Sequence, residues 1–230
     1  MRLSFERVSS AVLTIAAVVL VVIVIRREFV QRRNTAAPYS LEPLKVTDVQ
    51  WKQVLENSIG LDSFQASAPN RLVIFADLEC PACARYHQTE LKKVRESLRA
   101  NLAVAYVHLP LSIHRFAIRA AHAAECAYAQ GKFDEFLETV FSAQDSIGLA
   151  PWSTFAYRSG VADPSRFERC MGSDTVPARV LAGQDLAAEL RIRATPTVMV
   201  DGWLFRRPLT KDEVLEVIED LAAGRKPFSD

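Results

Sequence analysis

Apolar residues along this chain fall into short runs that predict strands and into helically spaced positions that predict helices. Residues 71–76 and 102–109 are short, apolar runs rich in β-branched and aromatic side chains, which is typical of buried strands. Residues 197–200 and 203–206 predict two further strands, and the Asp-Gly dipeptide between them favours a hairpin turn. The pattern therefore predicts two separate strands, followed much later by a β-hairpin.

Helically spaced apolar positions occupy most of the chain around these strands. Thr210 and Glu213 form a capping-box pattern at the start of a last helix, which Gly224 ends. The other predicted helices comprise residues 47–59, 81–98, 115–130, 133–144, 152–159, 164–171 and 177–190. The order of elements predicts a mixed α/β sheet with a helical subdomain inserted at about residues 111–190.

Composition and charge exclude several classes of protein. With 230 residues, half of them hydrophobic, the chain is long enough to build one sizeable core. A formal net charge of +1 gives no electrostatic reason to expect a nucleic-acid partner. The eight glycines form no phosphate-binding loop, and no nucleotide cofactor is expected.

An apolar segment near the N-terminus has the length of a membrane span. Residues 8–25 are uncharged and almost wholly apolar, which at about 1.5 Å per residue spans most of a ~30 Å bilayer core. A cleaved signal peptide is the alternative, but the run ends in Arg26 and Arg27 rather than in small residues. We therefore expect an uncleaved anchor with its flanks over residues 1–33, a linker over 34–45 and a folded domain over 46–230.

Cys80 and Cys83 form a Cys-Pro-Ala-Cys motif at the junction of a predicted strand and a predicted helix. Pro81 is tolerated at a first helical position, because the missing N–H has no partner within the helix. The free N–H groups and partial positive charge of the helix N-terminus stabilise a thiolate at Cys80, and the thiolate is the reactive form. Cys83, one turn further in, would resolve a mixed disulfide formed at Cys80. The motif predicts thiol–disulfide exchange.

A Cys-x-x-Cys motif can also form half of a zinc site or a purely structural disulfide. Half of a zinc site would need two more ligands at suitable spacing, and His87 is followed by no second Cys-x-x-Cys or His-x-x-x-His pattern. A purely structural disulfide is poorly matched to so short a loop. We therefore expect no metal and no cofactor at Cys80 and Cys83.

These features together resemble the DsbA-like branch of the thioredoxin superfamily over about residues 44–221. The resemblance rests on the strand–Cys-Pro-Ala-Cys–helix unit, the helical insertion and the Ala-Thr-Pro-Thr sequence at 194–197. It implies a thioredoxin fold with an inserted helical subdomain, here preceded by one transmembrane helix. In this family such a proline is cis and lies beside the redox disulfide. Thr195 and Pro196, with Pro81 and Ala82, would then border the substrate groove, where a substrate segment adds as a strand.

The sequence departs from the family pattern at two places. Relatives often carry a buried acid six residues before the first cysteine, where this chain has Ile74, so the base for Cys83 is unassigned; water and Glu79 are guesses. The Pro-Ala dipeptide also lacks the histidine of the strongest oxidants in the family. We expect the pKa of Cys80 to lie between roughly 3.5 and roughly 8.5. His87 is expected at a partly exposed surface position. His114 is expected to start a helix or pack, although it could face the active-site groove.

Cys126 and Cys170 remain once Cys80 pairs with Cys83. Both fall in the helical block, and we expect a structural disulfide between them. The alternative is two buried free thiols that act as small hydrophobic side chains. A disulfide here would also favour an exported domain, because cytosolic thiols are kept reduced.

Two sequence features predict opposite compartments for the folded domain: the arginines that follow the apolar segment, and the cysteines. Arg26, Arg27, Arg32 and Arg33, read by the positive-inside rule, leave the domain in the cytoplasm. The cysteines favour the opposite side, where disulfides persist. Because long domains can translocate despite flanking charge, we expect a single-pass membrane protein with an extracytoplasmic, periplasmic domain.

The expected function is thiol–disulfide exchange with exported proteins through Cys80 and Cys83, in the oxidising direction. The expected partners are proteins with cysteine thiols or disulfides and a membrane redox partner that re-oxidises the pair. A disulfide reductase or isomerase would run the same steps in reverse. A thioredoxin-fold binding or chaperone module without redox turnover is the alternative from another class.

Overall fold

A five-stranded mixed sheet forms the centre of the fold. The structure is a computed structural model that describes residues 42–60, 68–98 and 100–229. The strand order is β1-β5-β4-β2-β3. The strands are β1 (Leu44–Lys45), β2 (Asn70–Ala76), β3 (Leu102–His108), β4 (Thr197–Val200) and β5 (Trp203–Phe205).

β2 is the strand that positions the cysteine motif, and it lies inside the sheet. It pairs in parallel with β3, with Ile74 opposite Tyr106, and antiparallel with β4, with Ile74 opposite Val198. Parallel neighbours place their carboxyl ends at the same sheet edge, so the segments that follow β2 and β3 emerge side by side. The β4–β5 turn has positive φ at Asp201 (44°) and Gly202 (81°), as an Asp-Gly hairpin turn requires. The predicted mixed α/β sheet is confirmed.

Helices cover the sheet and form the insertion between β3 and β4. They are α1 (Asp48–Glu56), α2 (Pro81–Tyr86), α3 (Lys92–Leu98), α4 (Ala117–Tyr128), α5 (Phe133–Ser142), α6 (Trp152–Arg158), α7 (Pro164–Met171), α8 (Ala178–Glu189) and α9 (Lys211–Ala222). A π-helical segment, His87–Leu91, joins α2 to α3, so that residues 81–98 are helical throughout. A short 3-10 helix, Gln144–Ser146, follows α5.

Local sequence signals fix several helix ends. Thr47 caps α1 and Thr210 caps α9, each in a full capping box with the residue three positions later. Asp163 caps α7, where Pro164 occupies the first turn. Gly224 ends the chain's last helix with a positive φ of 70°.

The two faces of the sheet carry separate hydrophobic clusters because side chains alternate along β2. Leu72 and Ile74 point into the cluster that includes residues of α2 and of the inserted helices. Val73 and Phe75 point into the opposite cluster, which includes residues of α1 and α8. In α8, a Cβ at Gly183 would collide with the backbone carbonyl of His108, so this helix approaches β3 more closely than a larger residue permits.

Two predicted boundaries near the start of the domain differ from the structure. The predicted linker over residues 34–45 ends in a strand, since Leu44 pairs antiparallel with Leu204 of β5. The predicted helix over residues 47–59 ends at Glu56, and Ile59 instead forms a bridge to Tyr106. Val49 is 69% exposed although it fits the helical apolar spacing. Tertiary pairing with the sheet overrides the local helical pattern here.

The predicted membrane anchor, residues 8–25, lies outside the described residues, as does most of the predicted linker. Among the residues that the structure describes, no helix combines the length and the apolar character needed to cross a bilayer.

Candidate active site

Cys80 lies at the start of the helical segment that follows β2. It is the residue before Pro81 of α2, its N–H donates to the Asp77 carbonyl at 3.1 Å, and its side chain is nearly buried. The amide of Gln144 donates to the carbonyls of Leu78 (2.7 Å) and Cys80 (3.0 Å). The 3-10 helix of the insertion therefore holds the turn that carries the first cysteine.

The two thiols of the motif are electrostatically unequal. A hydrogen bond from the Cys83 side chain, with further bonds from Thr195 and from the backbone of the motif, outweighs burial and lowers the pKa of Cys80 to about 5. Burial, followed by the neighbouring Cys80, raises the pKa of Cys83 well above its ordinary value. Of the two thiols, Cys80 is therefore the one that ionises more readily, and Cys83 keeps its proton. The value for Cys80 lies within the expected interval.

Thr195 and Pro196 lie beside Cys80 although they are more than a hundred positions away in the sequence. The Thr195–Pro196 peptide bond is cis, and the Cys80 thiol donates to the Thr195 carbonyl at 3.5 Å. The Thr197 hydroxyl donates to the Ala194 carbonyl at 2.8 Å and fixes the turn before β4. Of the two residues between the cysteines, Pro81 is exposed and Ala82 is half-buried.

Asp77 and His114 form a pair next to the cysteine turn. Asp77 is buried, and its carboxylate accepts hydrogen bonds from the Glu79 N–H, the Leu111 N–H and His114 Nδ1, the last at 2.7 Å. The sequence predicts only a turn at Asp77 and a helix-start or packing position for His114. A signal was present, because both residues follow adjacent parallel strands, whose carboxyl ends share a sheet edge.

His87 is buried, so the prediction of a partly exposed surface position is wrong. Its Nδ1 lies 2.8 Å from the Tyr106 hydroxyl and its Nε2 lies 2.9 Å from Glu138 Oε2 of α5. Burial outweighs Glu138 and lowers the pKa of His87. The inserted helix α5 covers this face of the active-site helix, and the local sequence around His87 carries no sign of that cover.

Cys126 and Cys170 are joined by a disulfide that links α4 to α7. Within the described part of the chain, the one His/Cys group with atoms spaced for a metal ion is His122, Cys126 and Cys170. Zinc binds cysteine as the thiolate. Cys126 and Cys170 are bonded to each other, so neither sulfur is a thiolate that could bind zinc. Cys80 and Cys83 are free thiols.

Two kinds of curated relative match the chain. A protein named Na(+)/H(+) antiporter NhaA 1 from Mycolicibacterium vanbaalenii is 32% identical over 162 residues, which are 69% of this chain and 25% of the relative. The chain thus spans about a quarter of the length of that relative. A probable disulfide bond formation protein D from Bacillus cereus is 25% identical over 158 residues, 64% of this chain and 70% of the relative.

A family model and solved structures also match this chain. A family model described as thioredoxin matches residues 65–220. The crystal structure of BdbD from Bacillus subtilis, in its oxidised form, superposes with a TM-score of 0.60 at 23% identity over 67% of this chain and 88% of BdbD. That of Chlamydia trachomatis DsbA gives a TM-score of 0.61 at 18% identity, over 82% of this chain and 97% of the DsbA chain. These matches confirm the thioredoxin family and fold that the sequence motifs implied.

Proposed function

The chain belongs to the thioredoxin family, and we propose that it is a thiol–disulfide oxidoreductase that exchanges disulfides with exported proteins through Cys80 and Cys83. The observation that carries the proposal is the inequality of the two thiols. Cys80, with its pKa lowered to about 5, lies against the Thr195 carbonyl, whereas the pKa of Cys83 is raised. A stable thiolate beside a protonated resolving thiol is the arrangement that disulfide exchange needs.

In the oxidising direction the pair starts as a Cys80–Cys83 disulfide. A substrate thiolate attacks the sulfur of Cys80, a substrate–Cys80 bond forms, and the electron pair of the broken bond leaves with Cys83, which takes up a proton. A second substrate thiolate then attacks its partner sulfur in the mixed disulfide. The substrate disulfide forms, Cys80 leaves as a thiolate, and two electrons have passed from the substrate dithiol to the protein.

Pro81, Ala82, Thr195 and Pro196 are proposed to border the bound substrate. Pro81 is exposed beside Cys80, and the carbonyl oxygen of Thr195 lies 3.5 Å from the Cys80 sulfur. An extended segment that pairs with the backbone at Thr195 would bring its own sulfur to Cys80.

The oxidising direction is favoured by the low pKa of Cys80. Stabilising the thiolate stabilises the reduced pair, so the disulfide becomes a stronger oxidant and Cys80 a better leaving group. A reductase or isomerase would use the same bonds in the opposite direction. The reduction potential measured against glutathione separates them, because about −120 mV is typical of a strong oxidase and about −270 mV of a reductase.

A trapping experiment tests the exchange itself. The Cys83→Ala variant, incubated with a peptide that carries a disulfide, should accumulate a mixed disulfide. The Cys80 thiolate attacks the peptide disulfide, the other peptide sulfur leaves as a thiolate, and no resolving thiol is present. The Cys80→Ala variant is the matched control and should trap far less peptide. Equal trapping by the two variants, or full function of Cys80→Ala in cells, would instead support a binding or chaperone module without redox turnover.

We also propose that residues 8–25 anchor the protein in a membrane, with the domain on the extracytoplasmic side and a membrane redox partner to re-oxidise it. The Cys126–Cys170 disulfide supports an oxidising compartment. The full chain should stay with the membrane after an alkaline wash, a variant lacking residues 1–33 should not, and external protease should digest the domain in spheroplasts. Release of the full chain, or protection from the protease, would contradict the anchor or its orientation.

A further inference from the structure

The loop between β3 and α4 is fastened to the turn that carries Cys80. The Leu111 N–H donates to Asp77 Oδ2 at 2.8 Å, and the Phe116 N–H donates to Glu79 Oε2 at 2.6 Å. Between these two attachments lies His114, whose side chain is only 17% exposed. The loop therefore has little freedom to move its imidazole away from the cysteine turn.

Asp77 sets the orientation of this imidazole. A carboxylate can only accept hydrogen bonds, so the contact of 2.7 Å between Asp77 Oδ2 and His114 Nδ1 places the proton on Nδ1. Asp77 is fixed in turn by the Glu79 N–H, which donates to its Oδ1 at 2.8 Å. The backbone carbonyl of the same Asp77 accepts from the Cys80 N–H. One buried residue thus holds both the imidazole and the cysteine.

We propose that His114, held by Asp77, is a positioning residue for disulfide exchange that places an imidazolium at the turn carrying Cys80 and stabilises the Cys80 thiolate. It supplies, from a different loop, the charge that the Pro-Ala dipeptide between the cysteines lacks. This inference rests on the proposed redox function.

The charges around His114 agree with this role. Burial by itself lowers the pKa of His114, but Asp77, Cys80 and Glu79 together raise it above its ordinary value. All three belong to the turn after β2, and the Arg115 guanidinium on the loop itself lies over the Phe116 ring. The interaction between two charges is reciprocal, so a thiolate that favours the imidazolium is itself favoured by it.

The charge acts in the second exchange step. When the substrate disulfide forms, the bond between the substrate and Cys80 breaks and the electron pair stays on the Cys80 sulfur. In this step the His114 imidazolium stabilises the departing thiolate electrostatically and transfers no proton. Over the two exchange steps the substrate dithiol is oxidised to a disulfide and the Cys80–Cys83 disulfide is reduced. No other oxidant is therefore needed.

The test compares the pKa of Cys80, read from thiolate absorbance, in the reduced wild type and in His114→Gln. We expect a rise of about one unit, as for loss of a neighbouring opposite charge. The equilibrium constant against glutathione should change about tenfold toward a weaker oxidant, which corresponds to about 30 mV. His114→Lys keeps the positive charge and should restore most of both values.

His87→Gln is the matched control, because it also removes a buried imidazole bonded to a carboxylate but faces Glu138 instead of Cys80. It should leave the pKa of Cys80 unchanged even if it lowers thermal stability. An unchanged pKa and potential in His114→Gln, with an active wild type, would overturn the role of His114 alone. An oxidised wild type that transfers no disulfide to a peptide dithiol would instead overturn the proposed redox function.

Discussion

At the scale of single residues, the chemistry lies in the different environments of two identical side chains. Cys80 is the residue before the first helical position, where its sulfur meets hydrogen-bond donors, whereas Cys83 is one turn inside and buried. The same burial that raises the pKa of Cys83 keeps its proton in place for donation to Cys80. The asymmetry needs no charged group between the cysteines.

Cys83→Ala should raise the pKa of Cys80, because the largest contribution to its low value is the hydrogen bond from the Cys83 side chain. A hydrogen bond to a charged group contributes about 1.5–3 kcal/mol, which corresponds to a rise of about one to two units. Titration of thiolate absorbance measures it. Cys83→Ser, which retains a donor, should show a smaller rise, and an unchanged value in Cys83→Ala would contradict this account.

At the scale of elements, the inserted helices cover the sheet and also make hydrogen bonds to the cysteine turn and to the helical segment that follows it. Gln144 in the 3-10 helix holds the carbonyls of the cysteine turn, and Glu138 in α5 holds His87 at the start of the π-helical segment. π-Helical turns inside α-helices are frequent at functional sites. The insertion and the active-site helix therefore form one packed unit, in which α4 and α7 are further tied by a disulfide.

Removing that disulfide should destabilise the protein without disabling the redox pair. Cys126 and Cys170 are 44 positions apart, and closing a loop of this length contributes about 4 kcal/mol in the chain-entropy model. Urea unfolding of the Cys126→Ala/Cys170→Ala double variant should show a loss of that size. Its control, Cys80→Ala/Cys83→Ala, should lose much less at about pH 5, where the Cys80 thiolate contributes little stability. Similar losses in the two variants at that pH would contradict a stabilising role for the Cys126–Cys170 disulfide.

At the scale of the whole molecule, the low pKa of Cys80 couples redox state to stability. Folding lowers this pKa from 9.0 to about 5, so between these values the unfolded reduced chain binds more protons than the folded one. The stabilisation is fully present above about pH 9 and is lost as the pH falls through about 5. Because the pKa of Cys83 is raised in the folded protein and ordinary in the unfolded chain, Cys83 stays protonated in both states up to about pH 8 and adds nothing below that pH.

The reduced protein should therefore gain stability relative to the oxidised protein as the pH rises from about 5 to about 9. The expected slope is about 1.4 kcal/mol per pH unit in the free energy of unfolding, because one titrating group separates the two forms. Thermal or urea unfolding of both forms at several pH values measures it. The reduced Cys80→Ser variant should lack the slope, and an equal slope in that variant would assign the effect to another group.

The sequence by itself determined the features that depend on neighbouring residues. The strand before Cys80, the helical segment over residues 81–98, the Asp-Gly hairpin and the capping box at Thr210 are local patterns, and the structure has each of them. The family resemblance followed from the same local motifs and their order. These features were readable because backbone propensity and capping act over a few residues.

Only the tertiary structure decided which distant residues meet. The Asp77–His114 contact spans 37 positions and the His87–Glu138 contact spans 51, while Leu44 pairs with Leu204 across the whole domain. Such contacts depend on how the sheet order and the insertion bring separate segments together, and no local pattern encodes that. The redox motif was therefore visible in the sequence, whereas the groups that surround its nucleophile were fixed by packing.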